Sequence, residues 1–269
     1  MAYNERLEEI AQLIQKIKKI SVGELCERFG VSEVTIRKDL DKLQDQGILL
    51  RTHGSAVLAE DKNLLKSFDN RTIENLKLKS GIAQRASTMV REGYNVLIDS
   101  GTTTLLLARQ MADKEVGITT NSLAILNDLM NRRNGDLTML GGSLIEWNYA
   151  MIGPLTMHML DMINVDITFL GVAAFDTSGF MCQNAVEALV KTKMLDRAKT
   201  KVVLADSSKF GKSAFTTFAQ ISDVDVLITD ENIDEAAHQE LVNRGVEVIV
   251  ATADEGISSH RGLQIGETH

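Results

Sequence analysis

Ser21-Val22-Gly23-Glu24-Leu25-Cys26-Glu27-Arg28-Phe29-Gly30-Val31-Ser32-Glu33-Val34-Thr35-Ile36-Arg37-Lys38-Asp39-Leu40 decides how the N-terminal part of the chain folds. Ser21, with Glu24 three residues later, has the spacing of a capping box at a helix start. Leu25 and Phe29 lie four apart and share one helical face. Gly30 supplies the left-handed residue that closes a helix, and Ser32 caps the next one. Ile36, Leu40 and Leu43 recur at helical spacing and point inward. Glu33, Thr35, Arg37 and Lys38 are left for the outer faces, and Gly47 ends the helix. Upstream, Leu7, Ile10, Leu13 or Ile14, and Ile17 give a first helix one apolar stripe. The spacing therefore predicts three helices with a tight turn between the last two, a helix-turn-helix core.

The residues that follow predict a wing. Ile48-Leu49-Leu50 and Ala56-Val57-Leu58 read as short apolar strands flanking Arg51-Thr52-His53-Gly54-Ser55. On this reading Ser32, Thr35, Arg37 and Lys38 approach a major groove of double-stranded DNA. Arg51 and His53 meet the phosphate backbone or a minor groove.

Charge sets a condition on that reading. Residues 1–58 carry nine Lys and Arg and nine Asp and Glu, so the whole net charge of −8 belongs to the rest of the chain. A non-specific nucleic-acid coat is strongly basic, and this segment is neutral. Local placement of a few cations then has to suffice, and two linked copies on a paired site gain affinity that one lacks. The expectation is a homo-oligomer, at least a dimer.

The 269 residues suffice for a small domain and one of normal size. No apolar run approaches the length of a membrane span, and Met1-Ala2-Tyr3-Asn4 leads into a helix without the pattern of a signal peptide. Cys26 and Cys182 lie in different predicted domains and show neither a metal pattern nor a disulfide framework. A cytoplasmic protein with no metal and no cofactor is expected. The domain reading is 1–58 winged helix-turn-helix, 59–75 linker, 76–252 α/β domain and 253–269 loose tail. Pro154 reads as a loop or first-turn residue.

From Gly93 onward short β-rich apolar runs alternate with helical stretches: Val96–Ile98, Val116–Thr119, Leu137–Leu140, Ile167–Leu170, Val202–Leu204, Val224–Ile228 and Val246–Val250. This predicts a mainly parallel sheet covered on both faces, with ligands beyond the carboxyl ends of its strands. Those ends carry Asp99-Ser100-Gly101-Thr102-Thr103-Thr104, Thr120-Asn121-Ser122, Gly141-Gly142-Ser143 and Asp206-Ser207-Ser208-Lys209. Glycine permits a tight turn, and threonine hydroxyls and a helix N-terminus suit a phosphate. Lys209 offers a full charge. Glu187 and Lys191 lie four apart on one helix, the spacing of a surface ion pair.

Gly-Val-Ser-x-x-Thr-Ile-Arg-Lys-Asp-Leu, with Leu43, Gly47, Arg51 and His53-Gly54, resembles the winged helix of the DeoR-type repressors of sugar metabolism. The wing of that family usually reads His-Gly-Gly-Ala, and here it is His53-Gly54-Ser55-Ala56. Asp-Ser-Gly-Thr-Thr-Thr, Thr-Asn-Ser, Gly-Gly, Phe-Leu-Gly, Glu187-Ala188 with Lys191, and Asp-Ser-Ser-Lys-Phe-Gly are similar to its effector domain. Together they run from about Arg6 to Val250. The resemblance implies a transcriptional repressor controlled by a phosphorylated sugar, with an effector domain related in fold to sugar-phosphate isomerases. Asp99 to Thr104, Thr120, Asn121, Gly141, Gly142, Lys191 and Lys209 would line the effector site, with Asp176 and Glu187 as acceptors for sugar hydroxyls. The alternative is an isomerase-like enzyme fused to a DNA-binding domain, which needs a base within reach of the substrate. The family's Gly-x-Asp-Gly-Ile-Asp run is here Gly171-Val172-Ala173-Ala174-Phe175-Asp176, with Ala173 in place of the first aspartate. The sequence reading therefore favours a regulator over an enzyme. A dinucleotide site is excluded, because no Gly-x-Gly-x-x-Gly follows the first strand.

Overall fold

A computed structural model of the chain describes residues 3–17, 19–45, 49–52, 55–58, 68–130 and 135–253. The chain divides into two compact units, Met1–Arg71 and Thr72–His269.

In the first unit, α1 (Tyr3–Ile17), β1 (Lys19–Ser21), α2 (Val22–Phe29) and α3 (Glu33–Asp45) are followed by β2 (Leu49–Thr52) and β3 (Ser55–Leu58). The local signals form as their chemistry requires. Ser21 Oγ accepts from the Glu24 amide at 3.1 Å, and the Ser21 amide donates to Glu24 Oε2 at 2.8 Å. Gly30 adopts φ +64° and its amide closes α2 on the Cys26 carbonyl. Ser32 Oγ accepts from the Thr35 amide at 3.3 Å. Ile10, Ile14, Leu25, Ile36, Leu40, Leu43 and Ala56 form one buried cluster, each large aliphatic side chain contributing about 1.5–3 kcal/mol.

Two features of this unit go beyond the sequence reading. β1 joins the wing as a third strand, in the order β1-β3-β2, with Ile20 opposite Ala56. Asp39, on the helix expected to meet DNA, is buried and accepts both Nε (2.6 Å) and a terminal nitrogen (3.2 Å) of Arg6 from α1. The wing pairs Arg51 with Ala56 and Thr52 with Ser55. His53 and Gly54, at its tip, lie outside the described residues, as do 59–67 of the expected linker and the tail from 254.

The expected linker is not featureless at its end: α4 (Phe68–Ile73) occupies it, and the division between units falls within this helix. Then come α5 (Leu76–Ser87), β4 (Asn95–Ile98), α6 (Thr102–Gln110), β5 (Gly117–Thr120), α7 (Leu123–Leu129) and β6 (Leu137–Met139). A hairpin of β7 (Ser143–Ile145) and β8 (Ala150–Ile152) precedes α8 (Pro154–Asp161), with Pro154 in the first turn where its missing amide costs nothing. β9 (Val165–Gly171), β10 (Ala174–Asp176), β11 (Gly179–Cys182), α9 (Ala185–Asp196), β12 (Ala198–Leu204), β13 (Thr216–Ala219), β14 (Val226–Asp230), α10 (Glu235–Asn243) and β15 (Glu247–Ala251) complete the chain.

Seven strands form one sheet in the order β15-β14-β12-β9-β4-β5-β6, and every neighbouring pair is parallel. The chain winds outward from β4 through β5 and β6. It then returns to the other side of β4 and winds outward again through β9, β12, β14 and β15. The direction of winding reverses between β4 and β9, and at such a reversal the connections diverge and leave a crevice. The sheet core is aliphatic, with Leu97, Leu170, Val203 and Leu227 buried. The small antiparallel sheet β10-β11-β13 and the β7–β8 hairpin were not anticipated. Their strands are three or four residues long, too short for alternation to announce them. Among the described residues no helix is long and apolar enough to cross a membrane.

Candidate functional site

The strand ends predicted to carry chemistry converge at one edge of the parallel sheet. β4 runs straight into Asp99, and both Asp99 and Ser100 are buried. Gly101, at φ +157°, turns the chain into α6, whose N-terminus has no side-chain cap. The first amides of a helix lack partners within it and form its positive end. Thr102, Thr103 and Thr104 occupy that first turn and are buried. Thr104 Oγ1 donates back to the Gly101 carbonyl at 3.0 Å.

Lys191 reaches this turn from α9. Its Nζ pairs with Asp99 Oδ2 and donates to the Gly171 carbonyl at 2.9 Å, and Glu187 Oε1 lies at 3.6 Å. The Gly171 amide donates to Asp99 Oδ2 at 3.3 Å. Lys191 thus joins the end of β4 to the end of β9, across the reversal of winding. Glu187 and Lys191 are both buried. The spacing that reads as a surface ion pair is part of an interior cluster instead, because α9 turns this face toward the strand ends. Burial works against the charged amine, but the Asp99 and Glu187 carboxylates outweigh it and hold Lys191 above the ordinary lysine value. Cys182 lies close by, and burial pushes its thiol up to about 11.

Asn148 is a site residue that sequence reasoning missed. It sits in the turn of the β7–β8 hairpin and is buried. Its Nδ2 donates to Ser100 Oγ at 2.8 Å and to Glu187 Oε1 at 3.4 Å. The hairpin is pinned over the β5 end by Met151, whose amide donates to the Asn121 carbonyl at 2.7 Å. Asn121 Nδ2 returns a bond to the Met151 carbonyl at 3.3 Å. An asparagine between Trp147 and Tyr149 carries no recognisable motif. Its one local signal is the neighbouring Tyr149 at φ +49°, which sequence does not display.

The remaining predicted residues divide by position. Thr120 is buried and structural, donating to the Ile98 carbonyl at 2.7 Å and accepting from the Ser122 amide at 3.0 Å. Asn121 Oδ1 and Asp99 Oδ1 are buried acceptors with no hydrogen-bond partner among the described residues. Gly141 accepts from Thr156 Oγ1 at 2.7 Å. At Gly142, φ +155°, a Cβ would lie 2.2 Å from that same hydroxyl. Lys209 closes the 3₁₀ turn Ser207–Lys209 after β12, where its amide donates to Asp206 at 2.9 Å. Asp176 ends β10 on the antiparallel sheet. Its Oδ1 accepts from Ser178 Oγ at 2.5 Å and from the Ser178 and Gly179 amides at 2.7 and 3.3 Å. Those bonds overcome burial and hold Asp176 below the usual carboxylate range. Its carboxylate serves the β10–β11 turn. Among the described residues no cluster suits a metal ion.

On the first unit, Ser32, Arg37 and Lys38 are exposed and Thr35 is half-buried. Ser32 Oγ and Thr35 Oγ1 lie 3.0 Å apart. Arg37 pairs with Glu33 one turn earlier at 3.0 Å, with both side chains more than half exposed. Such a pair contributes at most about 1 kcal/mol, so Arg37 can exchange this partner for another anion at little cost.

Known proteins match both units. Residues 6–62 match the DeoR-like helix-turn-helix domain, and residues 74–231 match the DeoR C terminal sensor domain. The chain is 35% identical to an uncharacterized HTH-type transcriptional regulator, YulB, of Bacillus subtilis, over 92% of this chain and 96% of that protein. It is 34% identical to the HTH-type transcriptional regulator GlpR of Haloferax volcanii, over 93% and 98%. It is 33% identical to a putative aga operon transcriptional repressor of Escherichia coli O157:H7, over 92% and 93%. These relatives are named as regulators, which favours the DNA-reading interpretation over an isomerase. With both domain families matched in order along one chain, the protein belongs to the DeoR family of helix-turn-helix transcriptional regulators.

Proposed function

We propose that this chain is a cytoplasmic repressor of carbohydrate catabolic genes, controlled by a phosphorylated sugar held at the strand ends of its sensor domain. One observation carries the ligand reading. Asp99, Lys191, Glu187 and Asn148 are gathered beside the side-chain-uncapped N-terminus of α6, at the reversal of the sheet. The helix start suits the phosphate, aided by Thr102, Thr103, Thr104, Gly141, Gly142 and Lys209. Asp99 Oδ1 and Asn121 Oδ1, unsatisfied among the described residues, suit hydroxyl donors. Ser32, Thr35, Arg37, Lys38, Arg51 and His53 contact operator DNA, and a second copy supplies the other half-site.

A sugar phosphate controls DNA binding only if it favours one arrangement of the protein over another. The test is a thermal-shift screen of the full chain against pentose, hexose and ketose phosphates, with operator binding measured alongside. A true effector at a hundred times its dissociation constant adds about 2.7 kcal/mol of stability and changes operator affinity. A panel in which every compound leaves both unchanged, or in which one is turned over catalytically, overturns the reading.

A further inference from the structure

The helix that carries Glu187 and Lys191 has a second side. Val186 and Leu189, three residues apart on α9, are exposed. α8 lies against α9, and the C-terminal ends of the two helices are tied together by Asp161, which pairs with Lys193 at 2.5 Å and Arg197 at 2.6 Å. The helices therefore run side by side in the same direction. Counting back from that tie places Leu155, in the first turn of α8, level with Leu189, and Met162 ends α8. Cys182 is opposite Thr216 in the sheet register, which sets Phe215 beside the start of α9. Leu155, Met162, Val186, Leu189 and Phe215 are exposed by between 41% and 76%.

We infer that this face of α8 and α9, with Phe215, is the surface by which two copies of the chain pair. The five side chains present on the order of 500 Å² of apolar surface, at the upper end of what a lone soluble chain leaves bare. A twofold axis matches the patch to itself and buries on the order of 1,000 Å², the size at which a specific interface begins. The carboxylate at its rim, Asp161, already has its cations within the same chain, so self-pairing brings no unmatched carboxylate from Asp161 into the contact. The neutral DNA-reading unit supplies the need for a second copy, and to that extent the inference rests on the proposed function. Because α9 turns Glu187 and Lys191 to the site and Val186 and Leu189 to the partner, one helix serves both.

Sedimentation equilibrium of the full chain, of Leu189→Glu and of Val242→Ser tests this. Val242 is exposed on α10, a helix that contributes nothing to the patch. Wild type and Val242→Ser are expected to be dimers or larger at micromolar concentration. Leu189→Glu should dissociate at least tenfold more readily while keeping the wild-type circular dichroism spectrum and melting temperature at low concentration. Phe215→Ser, on a loop, provides the same test if Leu189→Glu fails to fold. Dissociation constants unchanged in both patch variants overturn the assignment of this face. If wild type pairs and binds operator while the patch variants still pair, only this inference fails; if wild type binds no operator, the regulatory reading fails with it.

Discussion

Lys191 Nζ and the Asp99 carboxylate meet across the point where the parallel sheet reverses its winding, and both side chains are buried. They are 92 residues apart in sequence. Two charges removed from water are tolerable only as partners, so their pairing constrains α9 to lie over the ends of β4 and β9. The same bond sets the polarity of the candidate effector site. Asp99 turns one oxygen to Lys191, and its Oδ1 has no hydrogen-bond partner among the described residues.

Removing one partner should therefore cost far more than removing both. Lys191→Met is expected to lower sensor-unit stability by about 3–5 kcal/mol, a fall of about 6–20 °C in melting temperature. Asp99→Asn should cost a similar amount. The double variant should recover much of the loss. Thermal denaturation of the three variants measures this, and strictly additive losses would refute the coupling.

The pair also makes stability depend on alkaline pH. Lys191 is held above its ordinary value of 10.5 by Asp99 and Glu187 against the opposing effect of burial. A folded-state value above the unfolded one gives stability that is complete below about 10.5 and is lost as pH rises through the folded value. Chemical denaturation from pH 7 to 11.5 should show a constant gap between wild type and Lys191→Met up to about pH 10, narrowing beyond it. A gap that widens there would contradict the sign.

The two cysteines should differ in reactivity. Cys182 is buried, and burial pushes its thiol up to about 11, while Cys26 is half-buried on α2. The thiolate is the reactive form. Iodoacetamide at pH 8 should modify Cys26 alone in the native protein and both residues after denaturation, as read by peptide mass spectrometry. Native modification of Cys182 at the rate of Cys26 would show that the cluster opens readily.

In the helix-turn-helix unit, Arg6 and Asp39 tie α1 to α3. Arg6→Leu leaves the Asp39 carboxylate buried without its guanidinium, and should cost about 3–5 kcal/mol. Operator binding should fall with the folded fraction of this unit while the sensor unit melts as in wild type. Restoration by the double variant Arg6→Leu with Asp39→Leu would locate the cost in the stranded charge; no restoration would place it elsewhere.

Lys38 is exposed on α3 and is expected to meet a backbone phosphate. Lys38→Ala should weaken binding to operator and non-operator DNA alike. It should also reduce the slope of log affinity against log salt by about 0.9. Fluorescence anisotropy between 50 and 200 mM salt measures the slope. Loss of affinity for operator alone would assign Lys38 to base reading instead.

Much of the first unit could be read from local chemistry. Ser21 with Glu24, Gly30 and Ser32 act within a turn of their own positions, so their effect is written in adjacent residues. The same holds for Pro154 at the start of α8 and for the Asp99–Thr104 turn at the start of α6. The short strands β7, β8, β10 and β11 leave no mark in the sequence, since three or four residues give too few alternations to exceed chance. Asp176 shows what a local pattern leaves out: a carboxylate soon after β9 reads as a ligand acceptor, and in the structure its Oδ1 also holds the β10–β11 turn through Ser178 and Gly179.

The sequence by itself determined the caps of α2 and α3, the alternation of strand and helix after Gly93 and the polar character of the strand ends, because caps, periodicity and turn residues act over a few positions. Only the tertiary structure decided that Lys191 belongs to Asp99 rather than to solvent, that Asn148 reaches Ser100, and that Arg6 neutralises Asp39. Those choices depend on strand order and helix docking. Burial then selects the partner, since a charge withdrawn from water must find its counterpart wherever the fold has brought one.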